Sequence, residues 1–346
     1  MPRILVISIR AIGDVVLMTP ILALLKKAFP QSYLAVLVDG STAEVLFHNP
    51  SVDRLIRIDR SALKTQGGWK QGSHWIHLIR DLQQEQFDLA VDLFSGSRSA
   101  LLTFFSKAPK RYGEDFRAHG RGYLYNFPIK ILRDGKHLIE QKVELLNALL
   151  GEGELKAGPL EVFVTDSEKE QAQQLLTRKT RRGITRVGLI PSAGSNWRIW
   201  PLERYAELAN ILVHTIGVEI VLLGGEGDRA TCRAVSERMQ VKPLDLSGKT
   251  TLRELIAVLG ELDLVIANVT GPMHVAVALP KPKVIGLYGA ADTIQYAPWG
   301  MNAKMLTKGT TRDAYWNRVD YRKDYEVLCQ ITVDDVLESV RSTMLD

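Results

Sequence analysis

"ILVISIRAIGDVVLMTPILALL", Ile4 to Leu25, joins a short β-branched apolar run to a longer apolar run through one arginine, one glycine and one aspartate. This order predicts a buried strand, Ile4–Ile9, followed by a helix, Val15–Phe29, and is typical of an α/β domain with a parallel sheet. The intervening aspartate, Asp14, allows two interpretations. It is either a cap for the helix or a reactive carboxylate at the carboxyl end of a strand, where such domains bind ligands.

The same alternation of β-branched runs and amphipathic helical stretches continues through both halves of the chain. Because 346 residues exceed what one hydrophobic core usually supports, we predict two Rossmann-like α/β domains with parallel sheets. The stretch 151–183, rich in Gly, Glu, Lys and Gln, contains the boundary and gives domains of residues 1–165 and 166–346. The final helix, from about Val333, could pack on either domain. Ligands are expected at the carboxyl ends of the strands and in the cleft between the domains.

Composition limits the cellular setting. Hydrophobic residues make up 46% and charged residues 24% of the chain, which is typical of a soluble globular protein. Two cysteines, Cys232 and Cys329, without metal-ligand spacing indicate a reducing compartment. There is no secretory signal pattern, and the longest uncharged stretch, Leu264–Pro280, is too short and too polar to span a membrane. We therefore expect a cytoplasmic protein, peripheral on the inner face of the cytoplasmic membrane at most.

The charge distribution narrows the class of partner. The formal net charge is +5, and the segment from Lys107 to Lys136 holds eight Lys/Arg against three Asp/Glu. No RNA-binding aromatic motif, zinc finger or heptad pattern accompanies this segment, so nucleic acid is not an expected partner. An anionic substrate or a membrane surface suits the segment better.

Five loops of the second half each follow a predicted strand, so we expect them on one edge of a sheet. The first, "PSAGSNWRIWP" (191–201), offers small residues at Ser192 and Gly194 and a fixed positive charge at Arg198. A helix begins directly after it, and this arrangement suits a diphosphate. The alternative is an ordinary strand-to-helix connection, and for Trp200 we expect a packing role.

The next two loops suit a nucleoside and exclude two common enzyme classes. In "LLGGEGDR" (222–229), the turn at Gly225 presents Glu226, and a carboxylate after a glycine-rich strand end commonly accepts ribose hydroxyls. Because no G-x-G-x-x-G fingerprint follows a first strand, an NAD enzyme is disfavoured. "DLSGKTTL" (245–252) places Lys249 before a helix, but it lacks the upstream glycine of a P-loop, so ATPase chemistry is disfavoured.

The fourth loop, "ANVTGPMHVAVAL" (267–279), opens a short helix at Thr270 and Gly271, whose backbone N–H groups suit phosphate oxygens. His274 falls in the first turn and is either a ligand contact or a hydrogen-bonded core histidine. The fifth loop, "YGAADTIQYAPWG" (288–300), is expected to form a wall of the same pocket. Together the five loops predict a nucleotide–diphosphate pocket.

The chain resembles the ADP-heptose:lipopolysaccharide heptosyltransferase family, inverting glycosyltransferases of the two-domain GT-B fold, over nearly its whole length. The motifs that carry the resemblance are, in chain order, "R-x-x-G-D" (10–14), "FDLAVDLFSGSRSALL" (87–102), "KRYGED" (110–115), His137 with "VELLNALLG" (143–151), "PSAGSNWRIWP" (191–201), "LLGGEGD" (222–228), "LSGKTTL" (246–252), "TGPMHVAVAL" (270–279) and "CQITVDDVL" (329–337).

The resemblance implies a role for several residues. Asp14 matches the general base that deprotonates the acceptor hydroxyl, and Glu226 matches the acid that binds the ribose. Thr270, Gly271 and His274 match the phosphate-binding turn and helix start, and Arg198 lies near the diphosphate and the donor sugar. Arg98 and His137 fall in segments that face the acceptor. Beside Asp14, we expect Gly13 to allow close approach of the acceptor and Arg10 to meet its negative charge.

Two positions depart from the family pattern. Val269 stands where the family typically has an aspartate that contacts the transferred sugar, and valine cannot accept a hydrogen bond. Arg198 stands where lysine is usual, which keeps the charge but brings a bulkier, planar head. The donor sugar is therefore the least determined part of the prediction, with a heptose favoured.

The chain contains no Asp-x-Asp metal motif, and the predicted reaction calls for no metal and no cofactor. Two alternatives to the transferase stay open at this point. One is a nucleotide-sugar 2-epimerase, which shares the two-domain architecture. The other is a catalytically weakened nucleotide-sugar-binding protein, which Val269 favours and Asp14 opposes. The partners expected of the transferase are a nucleotide-sugar donor and an anionic lipid-linked oligosaccharide acceptor.

Overall fold

The structure is a computed structural model that describes residues 1–59, 69–133, 135–151, 155–177, 184–291, 293–309 and 320–345. The chain forms two compact units, Met1–Phe163 and Val164–Asp346. Several residues of segments named above lie outside the described residues: Asp134 of the basic segment, residues 152–154 and 178–183 of the boundary stretch, and Asp292 of the fifth loop.

A parallel six-stranded sheet, with strand order β3-β2-β1-β4-β5-β6, forms the first unit. The strands are β1 Arg3–Ser8, β2 Tyr33–Asp39, β3 Arg54–Ile58, β4 Leu89–Asp92, β5 Lys110–Glu114 and β6 Phe127–Ile129. Strands β1, β2 and β4 are almost entirely buried, as expected where both faces of a parallel sheet are covered. The order of the strands reverses between β1 and β4. The carboxyl ends of these two strands therefore flank the topological switch point, the usual ligand position in such sheets.

The helices of the first unit correct the prediction of one continuous helix after β1. They are α1 Ile12–Leu17, α2 Thr19–Ala28, α3 Trp69–Gln84, α4 Ser97–Phe105 and α5 Leu138–Leu150. The single helix predicted after β1 is two helices, because Pro20 has no N–H to donate to the Val16 carbonyl, which instead accepts the Thr19 hydroxyl at 2.8 Å. Residues 42–48 form only a 3-10 turn, Ala43–Leu46, which ends before His48, whose φ of 63° is left-handed.

The second unit repeats the same topology. Its parallel six-stranded sheet has the order β12-β11-β10-β7-β8-β9, so the switch point lies between β7 and β10. The strands are β7 Arg186–Ile190, β8 Glu219–Leu222, β9 Leu244–Asp245, β10 Leu264–Asn268, β11 Lys283–Leu287 and β12 Ala303–Leu306. The helices are α6 Asp166–Thr177, α7 Leu202–Ile216, α8 Arg229–Arg238, α9 Leu252–Glu261, α10 Gly271–Ala278, α11 Tyr321–Cys329 and α12 Val333–Leu345.

The last helix, α12, packs within the second unit, against α7, β11 and β12. Its buried Val336 and Val340 belong to the same apolar core as Leu208 and Leu212 of α7. This answers the question that the sequence left open about where the final helix packs. In the part of the chain that the structure describes, no helix is long and apolar enough to cross a membrane.

Candidate functional site

Asp14 is the third residue of α1, directly after the switch-point strand β1. The N-cap position of α1 is Ala11, and no side chain caps this helix, so the interpretation of Asp14 as the cap is wrong. Asp14 is partly exposed, as are Gly13 before it and Arg10 at the end of β1. Among the described residues, none donates a hydrogen bond to the Asp14 carboxylate. The carboxylate is therefore available to a ligand hydroxyl.

The electrostatic environment of Asp14 suits a proton acceptor. Burial raises the pKa of the Asp14 carboxyl above its ordinary value, and the positive charges of Arg10 and Lys142 partly offset that rise. The Arg10 guanidinium lies 4.5 Å from the centre of the Phe94 ring, which holds it beside the switch point. A raised pKa makes the ionised carboxylate a stronger base. A helix N-terminus lowers the pKa of a nearby carboxyl, and the burial of Asp14 opposes that effect.

Asp92, the last residue of β4, lies on the other side of the switch point and is a site residue that its local sequence did not reveal. Its buried carboxylate accepts hydrogen bonds from the Tyr125 hydroxyl at 2.7 Å and from the backbone N–H groups of Phe94 and Ser95 at 2.9 and 2.8 Å. A Cβ at Gly113 would lie 2.4 Å from the Tyr125 ring, so only glycine allows this packing. The network fixes the loop that carries Phe94 and leads into α4.

The two residues expected to face the acceptor lie at different helix starts. Arg98 is the exposed second residue of α4, at the switch point with Asp14. His137 is buried and caps α5. Its imidazole Nδ1 accepts a hydrogen bond from the Ile139 backbone N–H at 3.1 Å, and the His137 backbone N–H donates to the Glu140 carboxylate. Sequence reasoning missed this structural role of His137. Acceptor binding by Arg98 and His137 stays a prediction.

In the second unit, the strands β7 to β11 run parallel, so the five loops that follow them lie on one edge of the sheet, as predicted. Adjacent loops also make direct contacts. A Cβ at Gly248, which has a φ of 61°, would lie 2.8 Å from the Glu226 carboxylate, so the loops after β8 and β9 approach closely.

The buried amide of Asn268, at the end of β10, joins the two loops at the switch point of this sheet. Its Oδ1 accepts the backbone N–H of Trp200 at 3.0 Å, and its Nδ2 donates to the Ser192 carbonyl at 3.3 Å. Trp200 is fully buried and donates its indole N–H to the Ile331 carbonyl, which confirms the packing role expected for it. The loop that contains Ser192 and Gly194 is thus held against the β10 loop.

We expect Asn268→Ala to lower the free energy of unfolding by about 3 kcal/mol, because it leaves two buried backbone groups without partners. Urea denaturation measures the change. The matched control is Asn210→Ala, which removes one exposed hydrogen bond, to the Gln240 N–H, and should cost less than about 1 kcal/mol. Equal losses in the two variants would contradict the bridging role of Asn268.

Arg198 ends the 3-10 turn Asn196–Arg198 within the first loop. Its guanidinium lies 4.5 Å from the centre of the Trp197 ring, and Trp197 in turn packs on Tyr321 of α11 at 4.7 Å. The buried carboxylate of Asp324 accepts the Ala291 N–H at 2.6 Å in the fifth loop. Burial raises the pKa of Asp324, and the charge of Arg198 opposes this rise, so the two residues attract each other. Arg198 is therefore oriented by an aromatic face and a carboxylate.

The fourth loop opens a short helix at Thr270 and Gly271, as expected. Thr270 caps α10, with its hydroxyl accepting the Met273 N–H at 3.4 Å, and Gly271 is the first helical residue. His274 lies in the first turn and is buried. Its backbone N–H donates a hydrogen bond to the Thr270 carbonyl at 3.3 Å. Val269 is partly exposed immediately before the cap.

The residues expected to bind the nucleoside already have partners close to them in the chain. The exposed Glu226 carboxylate pairs with Arg229 at 2.6 Å, and the Lys249 ammonium donates to the Asp245 carbonyl at 2.6 Å. The Gly225 N–H donates to the Asp228 carboxylate at 2.8 Å. All these contacts lie at the surface, where a nucleoside can replace or extend them.

The fold and the two sheet edges define the class of two-domain α/β enzymes to which GT-B glycosyltransferases belong. The sequence profile described as glycosyltransferase family 9 (heptosyltransferase) matches residues 75–325, which is more than half of the chain. The chain therefore belongs to glycosyltransferase family 9, and it is a glycosyltransferase.

Individual relatives agree with this membership. Lipopolysaccharide heptosyltransferase 3 of Escherichia coli is 26% identical over 305 residues, which cover 87% of each chain. The structure of a family 9 glycosyl transferase from Veillonella parvula is 25% identical and has a TM-score of 0.85, with 99% of this chain and 97% of that chain covered. E. coli heptosyltransferase WaaC with ADP, at 20% identity and a TM-score of 0.78 over 99% of both chains, shares the fold.

Proposed function

We propose that this protein transfers heptose from ADP-heptose to an acidic lipopolysaccharide core acceptor, with Asp14 as the general base. The family and the named activity of its relatives support the reaction. The observation that carries the role of Asp14 is its position: a partly exposed carboxylate with a raised pKa follows the switch-point strand of the first unit. Membership of family 9 favours this transferase over a nucleotide-sugar 2-epimerase.

The reaction needs one proton acceptor and one stabilised leaving group. Asp14 takes the proton from the acceptor hydroxyl as its oxygen bonds to the anomeric carbon of the donor. The bond from that carbon to the diphosphate oxygen breaks on the opposite face, so configuration inverts and ADP leaves with the electron pair. The positive charge of Arg198 stabilises the negative charge that grows on the diphosphate.

The second unit supplies the proposed donor site. Ser192 and Gly194 offer close backbone approach beside Arg198, and nothing lies within 4 Å of a Cβ built at Gly194. The N-terminal turn of α10, at Thr270 and Gly271, offers N–H groups to phosphate oxygens, with His274 buried behind it. Gly225, Glu226 and Lys249 form the proposed nucleoside end. That a structural relative holds ADP supports this assignment.

Val269 stands where the family typically has an aspartate that contacts the donor sugar, so this chain lacks that carboxylate. Among the described residues, Asp324 is an acidic group that interacts with Arg198 and with the fifth loop. We assign the sugar end of the donor site to this Arg198–Asp324 pair. A catalytically weakened binding protein is the remaining alternative.

The test is a thermal-stabilisation screen of nucleotide sugars followed by a transfer assay. ADP-heptose should raise the melting temperature more than UDP- or GDP-linked sugars, because a ligand that binds only the folded state stabilises it. Addition of a heptose-deficient lipopolysaccharide core should then release ADP. Stabilisation by ADP-heptose without release of ADP would indicate a catalytically weakened binding protein. If no nucleotide sugar stabilised the protein, the proposal would be overturned.

We also propose that the first unit contacts the cytoplasmic face of an anionic membrane, where a lipid-linked acceptor is held. Helix α4 exposes Leu101, Phe104 and Phe105, which share one helix face, and Tyr123 is exposed in the turn that packs on α4. We call these four residues the α4 patch. The exposed Lys107 and Lys110 follow α4 directly. Apolar side chains flanked by lysines suit the interface of an anionic bilayer.

Phe104→Ser should weaken binding to phosphatidylglycerol vesicles by about fivefold, because a half-exposed phenylalanine contributes on the order of 1 kcal/mol when it enters the interface. Vesicle sedimentation at low and high salt measures the change. Ile216→Ser is the control, since Ile216 is 44% exposed and Phe104 43% exposed, but Ile216 lies in the second unit. Equal binding by the two variants, or no binding to vesicles by the unchanged protein, would contradict this proposal.

A further inference from the structure

Helix α5 buries a lysine in the first unit. Lys142 is only 8% exposed, and its ammonium donates a hydrogen bond to the Leu93 carbonyl, directly after β4. The Leu93 N–H donates to the Ile7 carbonyl of β1 at 3.0 Å, so the Leu93 backbone is fixed at the switch point. Lysine is almost never buried without a compensating charge, because desolvation of an ammonium is costly.

Three carboxylates supply that compensation. Burial is the largest influence on Lys142 and lowers its pKa to about 8, and the charge of Arg10 acts in the same direction. Asp14, Asp92 and Glu114, in order of decreasing effect, raise the Lys142 pKa. Asp14 is thus the strongest electrostatic partner of the buried ammonium, and the same interaction lowers the pKa of Asp14.

The other two carboxylates are already engaged. Asp92 accepts hydrogen bonds from the Tyr125 hydroxyl and from two backbone N–H groups. Glu114 pairs with Arg133, whose Nε donates to it at 2.7 Å. By contrast, no described residue donates a hydrogen bond to the Asp14 carboxylate. Of the three carboxylates, Asp14 is therefore the one that depends most on the charge of Lys142.

Charged groups on α2 and on α5 itself do not replace Lys142. Helix α2, which packs on α5, carries Lys26 and Lys27 only in its last turn, and Lys26 pairs with Asp53 at 2.7 Å. On α5 itself, Glu144 pairs with Lys136, while Glu140 accepts the N–H at the helix cap.

We propose that Lys142 is a positioning residue for the base: its ammonium, fixed by the Leu93 carbonyl, keeps the partly buried Asp14 carboxylate ionised in the free enzyme. The inference rests on the proposed role of Asp14. Because the Lys142 pKa is about 8, Lys142 is protonated throughout the acidic range in which Asp14 titrates. Without that charge only Arg10 opposes the effect of burial, so the Asp14 pKa rises and more of the base is protonated at a given pH.

The test is the pH dependence of kcat/KM, which reports ionisation of the free enzyme. Lys142→Met should move the acidic limb upward by about one pH unit, since one nearby opposite charge shifts an aspartate by that order. Lys142→Arg keeps the charge and should leave the limb close to its wild-type position. Lys26→Met is the matched control: it removes a lysine from a surface ion pair and should not move the limb.

A second measurement does not depend on the folding of Lys142→Met. The titration of Lys142 is followed by NMR of ¹³C-labelled lysine side chains, with its signal assigned by its absence in Lys142→Arg. We expect an apparent pKa near 8 in the unchanged protein, and a value lower by about one unit in Asp14→Asn, because the partner charge is gone.

Two results would overturn the inference: an acidic limb that Lys142→Met leaves in place, or a Lys142 titration that is identical in Asp14→Asn. Failure of the underlying proposal has a different signature. If Asp14→Asn transfers heptose at the wild-type rate, Asp14 is not the base. If Asp14→Asn is inactive and the limb of Lys142→Met does not move, only the role of Lys142 is wrong.

Discussion

Asp14→Asn is expected to lower kcat for heptosyl transfer about a thousandfold, because removal of a general base typically costs two to four orders of magnitude. Asparagine has nearly the shape of aspartate but cannot accept the hydroxyl proton. Asp14 makes no helix-capping hydrogen bond, so the folded state should persist. Release of ADP from ADP-heptose in the presence of acceptor measures the rate, and calorimetry measures binding of ADP, which should change little.

Asp39→Asn is the control for this prediction. Asp39 ends β2 on the same edge of the sheet, but its carboxylate accepts hydrogen bonds from the N–H and hydroxyl of Ser41. We expect Asp39→Asn to retain transfer within a few-fold of the wild-type rate. If Asp14→Asn unfolded, or lost ADP binding together with activity, Asp14 would have a structural role instead of the proposed catalytic one.

Arg198→Met is expected to lower kcat/KM about a hundredfold, since one preorganised group that stabilises developing charge is worth two to three orders of magnitude. Arg198 is held by the Trp197 ring and attracted by Asp324, so its guanidinium is oriented before the donor binds. Arg198→Lys should recover part of the loss because it restores the charge without the planar stacking. Steady-state kinetics with ADP-heptose measures both variants.

The control for Arg198 is Arg233→Met, which removes an exposed arginine that pairs with Glu237 on α8. Its kinetics should be unchanged, because exposed ion pairs contribute little. A value of kcat/KM for Arg198→Met within threefold of the wild-type value would show that the diphosphate is stabilised elsewhere in the second unit.

The sequence predicted the two parallel sheets because their central strands are dense in β-branched apolar residues and alternate with helical patterns. The short strands gave no such signal: β9 has two residues, and β6 contains Pro128 within three. The division of the helix after β1 was readable from Pro20, since proline interrupts a helix that continues past it.

The candidate site was only partly predictable. Asp14, Arg198 and Thr270 lie in the segments that follow strands, so local patterns identified them. The roles of Asp92 and Lys142 could not be recognised in this way, because each depends on a partner from a distant part of the chain. Tyr125 lies 33 residues from Asp92, and Lys142 lies 49 residues from Leu93. A lysine on a helix predicts an exposed side chain unless the carboxylates of neighbouring elements are known.

We claim that this chain transfers heptose with Asp14 as the base, and the acceptor itself reports whether it does. The protein and its Asp14→Asn variant are incubated with ADP-heptose and a heptose-deficient lipopolysaccharide core, and the acceptor is analysed by mass spectrometry. We expect the acceptor to gain one heptosyl unit, with ADP formed in equal amount, only with the unchanged protein. Transfer at equal rates by both proteins, or no transfer by the unchanged protein although ADP-heptose binds, would contradict the claim.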